Sequence, residues 1–95
     1  MKQFSPELRD AVRSGAITVS YRLWQRPHVK LGGRYPLQDV VIEVDSINLV
    51  PFSSIDDADL ALTGERDLES VRRRAAHAGP VHDDTLLYRI EFHII

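Results

Sequence analysis

The chain has 95 residues, 12 Lys plus Arg against 14 Asp plus Glu, no Cys and 43% apolar residues, which describes one domain over residues 1–95 with one modest core. The lack of Cys excludes a thiol nucleophile, a Cys-based zinc site and disulfide stapling, and a net charge of -2 excludes a globally basic nucleic-acid coat. No apolar run approaches the roughly 18 residues that span a bilayer, and MKQFSPELRD lacks the apolar stretch of a secretory signal, so a cytoplasmic, non-membrane protein is expected.

The charge is unevenly spread. Between Ala11 and Gln38 stand Arg13, Arg22, Arg26, Lys30 and Arg34 with no acid, whereas from Leu49 onward nine acids face five arginines. One face can therefore attract an anion while the whole molecule stays slightly negative.

The first expected element is a short helix. Ser5 suits the N-cap, Pro6 the first helical position, Glu7 the positive end, and Gly15 closes it. A strand pattern follows, in which Ile17, Val19, Tyr21 and Leu23 alternate with Thr18, Ser20, Arg22 and Trp24. A period of two sends the first set to a core and the second to the other face. Two hydroxyls, a guanidinium and an indole on that second face make it the best site candidate. Residues 25–37, with Pro27, Gly32, Gly33 and Pro36, read as a turn-rich loop that also carries Arg26, His28, Lys30 and Arg34.

A long strand is expected from about Val40 to Val50. Its apolar phase switches after Ser46, which a period-two strand achieves only through a bulge or sharp bend. Asp56, or Ser54 with Asp57, then caps a short helix stopped by Gly64. Asp67 caps the next helix, where Glu69 lies in the first turn and Arg72, Arg73 and Arg74 lie toward the negative end. That position accounts for the arginine run by helix electrostatics, with phosphate contact as a further use. Leu86, Tyr88, Ile90, Phe92 and Ile94 alternate with Leu87, Arg89, Glu91 and His93 as a final strand. The order is not βαβ, so the expected class is α+β, a small curved or closed sheet with helices packed at its ends.

The segment Gly15-Ala16-Ile17-Thr18-Val19-Ser20-Tyr21-Arg22 resembles the motif G-x-K-x-x-E/T-x-R of ASCH domains, small β-barrel modules of the PUA-like superfamily. The runs VDSINLVPFSSID, TGERDLESVRRR and LLYRIEF resemble later parts of such domains, so the likeness covers nearly the whole chain. It implies a PUA-like β-barrel that binds RNA, or a nucleotide or modified base, beside the motif strand. The residues agree with a ligand-binding set of Thr18, Ser20, Arg22, Trp24, Arg26, Lys30 and Arg34: the cations neutralise phosphate, the hydroxyls hydrogen-bond, and Trp24 stacks on a base of single-stranded or looped RNA.

Some ASCH proteins resembling this motif are hydrolases, either amidohydrolases acting on N4-acetylcytidine or ribonucleases. The amidohydrolases use the motif lysine, a hydroxyl and a downstream Glu. Ser20 matches the hydroxyl and Glu65 is the nearest acid, but Ile17 stands at the lysine and cannot carry a proton. A binding module is therefore expected ahead of an enzyme. His28, His77, His82 and His93 show no metal-ligand spacing, and no cofactor motif is present, so neither metal nor cofactor is expected.

Overall fold

The computed structural model describes residues 6–37, 39–76 and 79–95. Helix α1 spans Pro6–Arg13, strand β1 Val19–Arg22, β2 Arg34–Leu37, β3 Val40–Pro51, helices α2 and α3 Asp57–Leu62 and Leu68–Ala75, and β4 Leu86–Ile94. A 3-10 turn, Phe52–Ser54, links β3 to α2. All four strands form one antiparallel sheet in the order β1-β4-β3-β2. The class is α+β. The barrel implied by the motif is not closed among the described residues, because β1 and β2 each pair on one side only and stand as the two edges of the sheet.

Local chemistry accounts for most boundaries. The Asp56 carboxylate accepts from Asp59 N–H at 2.8 Å and the Asp67 carboxylate from Ser70 N–H at 2.8 Å, each satisfying a helix-end donor that would otherwise lack a partner. Gly64 ends the α2 turn at φ +77, a left-handed value that favours glycine. In β3 the register shifts between Val44 and Ser46, which is the expected bulge. The Ser5 cap and His77 lie outside the described residues.

Two readings need correction. Residues 34–37 are a strand rather than loop, and Pro36 had argued against it; proline is tolerated there because β2 is an edge strand. The single buried face expected for residues 17–24 is also wrong, because the sheet is covered on both faces. Val12, Ile17, Val29, Leu37, Ile42, Val44, Ile90 and Phe92 form one core. Val19, Tyr21, Phe52, Ile55, Val71, Ala75, Val81 and Leu87 form the other. Ile17, just before β1, joins the first core and Val19 the second, so the two do not share a face as their spacing suggested.

The connection from β1 to β2 runs from one edge of the sheet to the other. It plants Val29 in the first core, and Gly32 N–H and Gly33 C=O exchange hydrogen bonds with Val44 at 2.8 and 3.0 Å. On the opposite face α3 buries Val71 and Ala75. Arg72 fastens that helix: its guanidinium lies 4.3 Å from the Phe52 ring centre, donates to the Val81 carbonyl, and reaches Asp83 at 3.2 Å. A cation over an aromatic face adds attraction to the packing. No helix among the described residues is long and apolar enough to cross a membrane.

Candidate functional site

The turn between α2 and α3 is drawn against β1. Thr18 N–H donates to the Leu62 carbonyl at 3.1 Å, and the Thr18 carbonyl accepts from Phe92 N–H at 2.9 Å. Thr63, itself buried, uses its hydroxyl twice, donating to the Leu60 carbonyl at 2.7 Å and accepting from Glu65 N–H at 3.2 Å. That fixes the backbone on either side of Gly64, whose Cα faces Ile17.

Here a cavity of about 450 Å³ opens, lined by Leu8, Gly64, Glu65, Arg66, Ser70, Arg73 and Arg74. Its volume lies within the range of small-molecule sites. Three arginines and one carboxylate make its wall cationic, although it lies in the acidic half of the sequence. The Glu65 side chain, only 7% exposed, meets Arg74 Nε at 2.9 Å; a carboxylate this buried needs such a partner.

Ser20 and Arg22 do not line this cavity, and Arg22 is linked to it through the charge of Arg74. The register sets Ser20 opposite Ile90 and Arg22 opposite Tyr88, so both lie on the first-core face. Arg22 Nε donates to Ser20 Oγ at 2.7 Å. Burial, and then the nearby charge of Arg74, hold the Arg22 pKa below the ordinary arginine value.

The other expected binding residues do not line this cavity. The Trp24 ring stacks on His28, with centroids 4.5 Å apart, and tilts against Tyr88 at 6.2 Å. Arg26 and Lys30 are exposed on the crossing loop. Arg34, on the far edge strand, pairs with Glu43 at 3.0 Å, and Arg13 pairs with Asp39 at 2.8 Å. A hydrogen bond joins Ser20 to Arg22 and an ion pair joins Glu65 to Arg74, Thr18 is tied to the adjoining turn, and Arg34 lies on the far edge strand. Sequence reasoning missed Arg66, Ser70 and Leu8 as cavity residues. Arg73 and Arg74 carried a signal in the arginine run, which the structure divides between Arg72 at the second core and the two that line the cavity.

No protein-family model matches the chain, nor does any curated protein. Solved structures do. A structure of an ASCH domain from Lactobacillus crispatus JV V101 superposes with a TM-score of 0.73 at 19% identity, over 93% of this chain and 70% of that one. A protein from Enterococcus faecalis V583, described under the family name DUF984, gives 0.69 at 15% identity over 94% of this chain and 67% of that one. At such identities the likeness concerns the backbone arrangement. The chain has an ASCH-like fold.

Proposed function

We propose that the chain is a binding module for RNA or a nucleotide-like ligand, and that the cavity between α1 and the α2–α3 turn receives a phosphate-bearing part of it. The carrying observation is the convergence of Arg66, Arg73 and Arg74 around one concave space, with Arg22 within electrostatic reach of Arg74. Guanidinium groups match phosphate oxygens in charge and in the geometry of their donors. Leu8 supplies an apolar wall, and Ser70 and Glu65 supply polar groups that can orient a base or sugar. The ASCH-like fold supports the same reading by analogy.

The hydrolase alternative has less support. Ser20 Oγ accepts from a guanidinium, which cannot take its proton. Glu65 is engaged by Arg74, and Ile17 packs against Gly64 instead of presenting an amine.

The test is fluorescence anisotropy with a labelled single-stranded RNA over a range of salt, beside chromatography of N4-acetylcytidine incubated with the protein. Expected are saturable binding that weakens as salt rises, loss of roughly tenfold or more in affinity for Arg66→Ala/Arg73→Ala with an unchanged thermal melt, and no hydrolysis. Deacetylation abolished by Ser20→Ala would replace the binding module with an enzyme. Binding unaffected by the double substitution would place the ligand elsewhere.

A further inference from the structure

Away from the cavity, β3 and β4 carry a second group of donors. The register makes Glu43 and His93 direct cross-strand neighbours, and Asp45 is the residue left over where the pairing shifts between Val44 and Ser46. A bulge increases local twist and re-aims the side chain of its extra residue. Here it turns the Asp45 carboxylate onto His93, with both oxygens near Nδ1 at 2.8 and 2.9 Å. Glu43 Oε2 lies 3.7 Å from Nε2. Arg34 offsets one of the two acids, its Nε being 3.0 Å from Glu43 Oε1.

We infer that Glu43, Asp45 and His93 form a binding site for a divalent cation of the zinc type at the β3 bulge. One ligand atom from each residue lies within 4.8 Å of the other two. Donors at about 2.0–2.2 Å from a tetrahedral ion stand about 3.3–3.6 Å apart, so side-chain rotations that draw the groups together by about an ångström complete the set. The donors project from adjacent strands in the middle of a four-stranded sheet, so the backbone holds them in place before an ion arrives. A mixed imidazole and carboxylate set suits Zn²⁺, Co²⁺ or Ni²⁺ and disfavours Mg²⁺ and Ca²⁺, which prefer all-oxygen shells. Three protein ligands leave at least one position for water or an incoming anion. The spacing 43, 45, 93 gave no sign of this. The grouping depends on cross-strand register and on one inserted residue.

The experiment is a titration of the tag-free, metal-stripped chain with Zn²⁺, followed by calorimetry and by NMR of the histidine rings. One equivalent is expected to bind and to shift the His93 ring resonances, while Mg²⁺ leaves them in place. His93→Ala should weaken binding about fiftyfold or more and Asp45→Asn about tenfold, because losing a ligand costs at least as much as losing an outer-shell partner. His82→Ala and Arg66→Ala/Arg73→Ala should change nothing, which separates this site from the cavity. The inference is overturned if the His93 ring is unmoved at millimolar Zn²⁺, or if His93→Ala binds as the parent does.

Discussion

Gly64 is the residue on which the cavity wall turns. Its φ of +77 already disfavours any other side chain, and a Cβ there would stand 2.3 Å from Ile17 Cδ1, a methyl held inside the first core. Gly64→Ala should therefore destabilise the chain by about 1–3 kcal/mol in a urea melt. Adding Ile17→Val removes the clashing methyl, so part of that loss should return. The departure from lysine at position 17 was legible in the sequence. Its packing consequence was not, since Gly64 lies far along the chain.

A second residue-scale prediction concerns Asp59, which accepts from Arg89 at 2.9 and 3.1 Å and from Tyr21 Oη at 3.1 Å. The hydrogen bonds from Arg89, foremost, hold the Asp59 pKa below the ordinary aspartate value. A carboxyl whose folded pKa is depressed contributes stability above its unfolded value, and loses it as pH falls through the folded one. Asp59→Asn should thus melt lower than the parent at pH 7, by about 1.5–3 kcal/mol for bonds to a charged group, and the gap should shrink below about pH 4. Burial first, and then Asp59, push the Tyr21 phenol up to about 12. In an ultraviolet titration one tyrosine should ionise near that value. Because this pKa is raised, the associated stability is present below about pH 10 and fades as pH climbs toward the folded value.

At the level of elements, the helices were legible because their ends are written in single residues. Asp56 and Asp67 accept the backbone hydrogen bonds their positions implied. Asp56→Ala should cost about 1 kcal/mol in thermal or chemical unfolding, with the sheet's circular dichroism unchanged in the folded state. The long third strand and its bulge were legible from one switch of apolar phase. The short second strand was not, because Pro36 signals an edge only to a reader who already knows which strands are edges. Alternation in β1 marks a strand, but not that apolar residues pack on both of its faces. A period of two cannot tell a one-sided sheet from one buried on both faces.

For the molecule as a whole, charge segregation along the sequence misled about where cations gather. The acid-free stretch from Ala11 to Gln38 is distributed over both sheet edges, with Arg13 and Arg34 consumed in ion pairs. The acidic half supplies Arg66, Arg73 and Arg74 to one cavity, with Arg74 paired to Glu65 and Arg66 3.7 Å from Asp67. Tertiary contact decides which charges meet, and neither window counting nor net charge registers it. The α+β class was legible because element order and type sufficed for it, whereas the closed barrel that the resemblance implied is an open four-stranded sheet among the described residues.

Strand β4 lies between β1 and β3 and gives Ile90 and Phe92 to one apolar cluster and Leu87 to the other. It is the partition between two rooms, and neither room keeps its walls without it. Melting should be all-or-none, and in hydrogen exchange the amides of Leu87, Ile90 and Phe92 should open only with the entire chain. A nick between α3 and β4 should then leave two pieces that are each shapeless alone and that recover the native spectrum when mixed.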